Sequence, residues 1–206
     1  MKTTENYLAE IREIRKMMEE SSRFLSLSGL SGVLIGFYAL IGTFVAYRLI
    51  YSTVTPPAFF NGNTTLQLTA VALCILLLSL ITAVLLTWRR TVKTGKRIWN
   101  PGSRLLLLNL AIPLFAGGVF ILLFLSKGTF EFVAPGCLIF YGLALVNAAK
   151  FTHQEIFFMG LIQVALGILA ALIPSAGLIM WAVGFGLIHI VYGIVMYRRY
   201  ERKNNN

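Results

Sequence analysis

Six stretches of almost unbroken apolar residues divide the chain, and most polar positions are confined to what lies between them. The stretches are 25–47, 66–88, 105–125, 132–149, 156–173 and 178–196. At a rise of about 1.5 Å per residue, roughly 20 residues cross a hydrocarbon layer of ~30 Å. The alternation of a half-buried strand is missing, as is the narrow apolar stripe of a soluble helix. The pattern predicts an all-α membrane protein, a bundle of six transmembrane helices occupying residues 24–197.

Residues 1–23 follow a different rule. Tyr7, Ile11, Ile14 and Met18 recur at helical spacing, while Arg15/Glu19 and Glu19/Arg23 place opposite charges four apart. This predicts an N-terminal cytoplasmic amphipathic helix. Its basic and acidic residues balance, so it is expected to pack on the protein's own inner face or on a protein partner rather than on anionic lipid. The first apolar run is too long for the core of a cleaved signal and reads as a permanent anchor.

Composition supports this reading: 57% of residues are hydrophobic and 13% charged. The net charge of +10 raises the question of nucleic acid. The basic residues sit beside the apolar runs, without the aromatic interleaving of an RNA-binding surface, so no nucleic-acid partner is expected. Of the 18 Lys and Arg residues, only Arg48 and Lys127 fall in loops on the far side. Positive-inside bias therefore puts both termini, including a basic tail at 198–206, in the cytoplasm. The outer loop carries Pro56-Pro57 and Asn61-Gly62 as turn punctuation, and its Asn63-Thr64-Thr65 triplet reads as a polar turn. Cys74 and Cys137 lie inside apolar runs and are expected as buried free thiols.

Lipid offers helices no hydrophobic reason to associate, so small-residue faces must carry the packing. Gly29, Gly32 and Gly36 mark such a face on the first helix, and Ala134, Cys137, Tyr141, Ala144 and Ala148 mark one on the fourth. The fifth offers Gly160, Gln163, Gly167 and Ala170; the sixth offers Ala182, Gly186, His189 and Gly193. Counting outward from the turn at 174–177 sets the last two faces against each other, with Gln163 opposite His189. Each can donate and accept a hydrogen bond. Asn109, Asn147 and Tyr192 fall at similar depth or nearer the cytoplasm, so a polar pocket around Gln163 and His189 is the candidate site. His189 is its one group that changes charge near neutral pH. Polar residues also serve as plain glue between such helices.

Other motifs point away from catalysis. Thr152 and Glu155 stand three apart before an apolar run, the spacing of a capping box, and Lys150 can reach the headgroups. His153 and Glu155, two apart, face different sides of a helix and make a poor metal pair, so no metal is expected. TVKTGKR lacks the glycine and hydroxyl of a phosphate loop, and neither HExxH nor GxSxG occurs. No catalytic residue and no cofactor is assigned. GVLIGFYAL in the first helix and GCLIFYGLAL in the fourth align with one gap, as inverted three-helix halves would.

SLSGLSGVLIG (26–36) and GFGLIHIVYG (184–193) resemble signatures of a family of uncharacterised small bacterial integral membrane proteins. The resemblance implies a multi-pass protein of a bacterial inner membrane and attaches no activity. The leading functional expectation is a membrane-embedded interaction or regulatory protein. The alternative is a small transporter for a neutral or weakly basic solute. A lipid-directed enzyme has least support, since two histidines and no acid within the spans leave few catalytic options.

Overall fold

The computed structural model describes residues 27–51, 62–95 and 98–202, with the single positions Asn6 and Ile11. The amphipathic helix expected over residues 1–23 lies outside the described residues.

Each apolar run forms a helix, and among the described residues there is no strand. The first five are α1 (Gly29–Tyr51), α2 (Gly62–Lys93), α3 (Pro101–Ser126), α4 (Val133–Ala148) and α5 (Gln154–Leu172). The last, α6, is the run Pro174–Glu201. It is a composite: an α turn Gly177–Trp181, a π stretch Ala182–Ile188, an α segment His189–Met196 and a second π stretch Tyr197–Glu201. Residues 198–201, expected in the tail, continue the helix. All six are long and apolar enough to cross a bilayer.

Local chemistry sets the helix ends. At the start of α3, Asn100 Oδ1 accepts the Ser103 N–H at 2.8 Å and Ser103 Oγ accepts the Asn100 N–H at 2.9 Å. Pro101 follows, where its missing N–H costs nothing. The same helix closes on Gly128 at φ 72°, with the Thr129 N–H donating to Phe124 at 3.0 Å and the Gly128 N–H to Leu125 at 3.1 Å. The capping box expected at Thr152 and Glu155 does not form. His153 is the N-cap of α5 with no side-chain cap bond, and Glu155 is drawn instead to Arg199 at 2.7 Å and the Tyr200 hydroxyl at 2.9 Å. A charge-assisted bond outcompetes a neutral amide for the carboxylate.

Successive helices alternate in direction and form two groups. α1 packs on α2 and α6, and α4 packs on α3 and α5; α6 passes between the groups. Exchanging the two three-helix halves maps one set of neighbours onto the other. Glycines make the close approaches. A Cβ built on Gly29 would stand 2.6 Å from the Gly193 carbonyl, one on Gly36 2.6 Å from that of Gly186, and one on Gly193 2.7 Å from that of Gly29. Gly32 meets Gly193 and the His189 carbonyl, and Gly186 meets Leu40. Gly160 and Gly167, expected against the sixth helix, face α4 instead, next to Gly142 and Ile139. Gly142 and Gly160 are reciprocal, each built Cβ lying 2.7 Å from the other's carbonyl oxygen. Here the backbones meet with no room for a methyl, so α4 rather than α6 claims that face.

α2 is peripheral: none of its most apolar window is buried, against 39% for α4. Cys74, expected buried, is exposed on α2, whereas Cys137 on α4 is half-buried. One polar latch holds α2 in place. Arg90 donates to the Leu27 carbonyl before α1, to the Tyr200 carbonyl at 3.1 Å and to Glu201 Oε1 at 3.1 Å, and that same carboxylate oxygen accepts the Gly29 N–H. An anion is favoured at a helix N-terminus, and a cation at a C-terminus. The pair therefore closes α1, α2 and α6 together at the end richest in Arg and Lys, called the basic end below.

Substituting Val for Gly142 or Gly160 should force α4 and α5 apart and cost at least about 2 kcal/mol. Gly118→Ala, with open space around it, should be neutral or slightly stabilising. Thermal unfolding of the purified variants measures both.

Candidate functional site

At two places among the described residues, polar side chains from the helix interiors reach across to a neighbouring helix, and at both the recipient is a backbone carbonyl. The first is at mid-height between α4, α5 and α6. His189 is 5% exposed and Gln163 0%. The hairpin register pairs them with each other, but they do not bond each other and instead converge on one acceptor. Gln163 Nε2 donates to the Gly184 carbonyl at 2.8 Å, and His189 Nδ1 lies 3.0 Å from the same oxygen. A carbonyl has two lone pairs and no proton, so Nδ1 must carry the hydrogen. In the neutral ring Nε2 is then the acceptor, and the Tyr141 hydroxyl, 2.8 Å away, donates to it. The chain of bonds runs from Tyr141 on α4, through His189, to Gly184 in the π stretch, and back to Gln163 on α5.

Local geometry explains why this oxygen is reachable. A π stretch replaces i+4 with i+5 bonding and is found disproportionately at functional positions. Gly184 leaves out the side chain that would displace Gln163. A Cβ at Gly184 would lie 2.4 Å from Gln163 Oε1 and 2.5 Å from Leu138 Cδ2. Gln163 Oε1 thus fills the space beside the Gly184 Cα, and it is buried without a hydrogen-bond partner. Around the polar chain stand aromatic rings: Tyr141 lies 5.1 Å from Phe185 and 5.4 Å from His189, and Trp181 lies 5.0 Å from Phe185. These rings sheathe the imidazole in apolar surface.

The second place joins α3 to α4. Pro113, inside α3, has no N–H to give the carbonyl of Asn109 four residues earlier. Asn147 Nδ2 from α4 reaches that carbonyl at 3.4 Å. The Asn109 amide meanwhile bonds the Leu105 carbonyl of its own helix at 2.8 Å. Asn147 is six residues beyond Tyr141 and turned to another side of α4. Asn109 and Asn147 therefore do not line a pocket with His189; they repair a proline defect. Tyr192 is half-buried on the next turn of α6, nearer the basic end, and is not part of the chain of bonds.

The structure brings together Gln163 and His189, and adds Tyr141 and the Gly184 carbonyl. Sequence reading held Tyr141 only as a packing residue. Its signal was a phenol in a small-residue stripe, where a buried hydroxyl needs a partner. Nothing in the sequence marks the π stretch beyond the paired glycines. The hollow lined by Leu30, Val33, Ile194 and Tyr197 and the one beside Trp99 and Arg104 both lie at the basic end, away from the His189 network. Among the described residues no group of three or more His, Cys, Asp or Glu is placed to hold a metal ion. Comparison with protein-family models, with curated proteins and with solved structures finds no match.

If Asn147 serves the carbonyl that Pro113 leaves open, Asn147→Ala should cost about 1 kcal/mol. The loss should shrink to a few tenths when Pro113→Ala restores the missing N–H, a coupling that a double-mutant cycle reads directly. Equal losses in both backgrounds would break the link.

Proposed function

We propose that this chain is a multi-pass protein of a bacterial inner membrane, with its basic end in the cytoplasm, and that it works as an interaction or regulatory protein. Six helices with apolar outer faces support the membrane reading. The orientation rests on Arg89, Arg90, Lys93, Arg104, Lys150, Arg198, Arg199 and Arg202 at one end, against Arg48 and Lys127 at the other. The resemblance of residues 26–36 and 184–193 to bacterial integral membrane proteins is in keeping with the membrane reading and says nothing of orientation.

One observation carries the interaction reading: Tyr141, His189, Asn147 and the Gln163 Nε2 are turned onto backbone carbonyls and each other, with only Gln163 Oε1 idle among them, and His189 and Gln163 are sealed from solvent. Their first service is to hold helices. The charged cytoplasmic face, where Arg89, Arg104, Arg198 and Arg202 are exposed, and the evenly charged segment 1–23 are then the parts suited to meet another molecule. Deleting residues 1–20 should abolish specific in-cell cross-links at this face while leaving the protein in the membrane; an unchanged cross-link pattern and phenotype would remove the proposal.

A second reading, a small transporter for a neutral or weakly basic solute, draws on the unpartnered Gln163 Oε1 beside a π stretch at mid-height. π stretches recur at functional positions of helices. Gln163→Leu deletes that idle acceptor together with one hydrogen bond and should change stability by less than about 1 kcal/mol. Transport into proteoliposomes should nevertheless fall sharply. Flux indifferent to Gln163→Leu and to His189→Ala would discard this reading.

A further inference from the structure

At the basic end the arginines of α2 and α6 divide into two kinds. Arg90 is committed to Glu201 and two carbonyls, and Arg199 to Glu155. Arg198 and Arg202, one helical turn apart, are exposed, and among the described residues no carboxylate engages either. They stand over a hollow of about 400 Å³ between α1 and α6, with Leu30, Val33, Ile194 and Tyr197 as its other walls. Leu30, Ile194 and Tyr197 are 45%, 39% and 40% exposed, so the apolar walls are open to whatever surrounds the helices. The floor exists because Gly29, Gly32 and Gly193 let α1 and α6 touch backbone to backbone, leaving larger side chains to rise on either side.

We infer that this hollow is a binding site for one anionic phospholipid, the phosphate held between Arg198 and Arg202 and an acyl chain lying against Leu30, Val33 and Ile194. The inference rests on the membrane reading above. Charge and position select the occupant. Two uncommitted guanidinium groups suit a phosphate monoanion, which they can grip through paired N–H donors. The walls beneath them are apolar and point into the layer where acyl chains lie. Basic pockets between helices on the cytoplasmic side are where anionic headgroups are recognised. A soluble anion would use the arginines and leave the apolar walls idle; a zwitterionic lipid would use the walls and bring its own cation to face the arginines. Tyr197 sits at the junction of the two regions, where an amphipathic ring is at home. A bound lipid would bridge α1 and α6 beside the Arg90–Glu201 latch and so couple lipid composition to the closure of that end.

Full-length protein in detergent micelles, titrated with phosphatidylglycerol or phosphatidylcholine of the same acyl chains and read by native mass spectrometry, tests this. Phosphatidylglycerol should bind as a single adduct about tenfold or more tighter than phosphatidylcholine. Replacing Arg198 and Arg202 with Gln should erase the difference, whereas replacing Arg89 and Lys93 with Gln, equal in charge but outside the hollow, should preserve it. Leu30→Trp, which fills the apolar part and spares both arginines, should weaken the adduct by a similar factor. Circular dichroism of each variant confirms that it is folded. Equal binding of the two lipids, or equal loss in both double variants, overturns the site. Displacement by millimolar inorganic phosphate alone would show an ionic patch instead of a lipid site and equally overturns it. Release of the protein from cell membranes by alkaline carbonate would defeat the membrane reading itself; retention with no lipid preference would defeat only this inference.

Discussion

A backbone carbonyl inside an apolar helix bundle has no water to turn to, and the interior of this protein is organised around that constraint. Most carbonyls are satisfied by the helix ladder. Two are not ordinary: that of Asn109, which Pro113 deprives of its usual donor, and that of Gly184, presented by a π stretch. Asn147 is directed to the first, and Gln163 and His189 to the second. Asn147 and Gln163 reach these carbonyls from another helix, and His189 is tied to α4 through Tyr141, so each irregularity of the backbone is met by a tertiary contact. The deviations from a regular helix and the polar side chains of the interior explain one another.

The remaining cohesion comes from close approach. Dispersion contacts fall away within an ångström of their optimum, so two helices gain most where small residues let their backbones meet. The Gly142–Gly160 and Gly29–Gly193 contacts are of this kind. They place α1 and α4 as the hubs of two three-helix groups, with α6 answering to both. α6 touches α1 along one side and carries His189 toward α4 on another, so the Tyr141–His189–Gly184–Gln163 chain links the two groups at mid-height, as the Glu155 contacts with Arg199 and Tyr200 link them at the basic end.

The basic end follows the same logic with charges in place of dipoles. Glu201 serves the N-terminus of α1, and Arg90 the C-terminal part of α6 while neutralising Glu201. Glu155, Arg199 and Tyr200 tie the start of α5 to the same segment, and His153 stacks on Tyr200 at 4.0 Å. The last turns of α6 are thus a fastening for α1, α2 and α5, although from composition they read as a basic tail. The acidic residue Glu201 within that basic stretch was the sign that it had a structural task.

The six long apolar helices of the described residues, their approximate bounds, their alternating direction and the asymmetry of charge were all legible in the sequence. Each is a sum over some 20 residues, and such sums are insensitive to detail. The small-residue faces were legible too, but not their addressees. Gly160 and Gly167 belong to α4, and Asn147 answers a proline rather than a histidine, because a helix's rotation about its own axis is set by which neighbour comes closest. One residue of error turns a face by about 100°. The π stretch adds a residue to its turn and shifts everything after it, so counting from the turn at 174–177 brought Gln163 to the right level yet to the wrong partner. The sequence by itself determined that an imidazole and a carboxamide would share the middle of the bundle; the tertiary structure decided that they meet through the Gly184 carbonyl, with Tyr141 closing the chain, since only the packed backbone creates that acceptor.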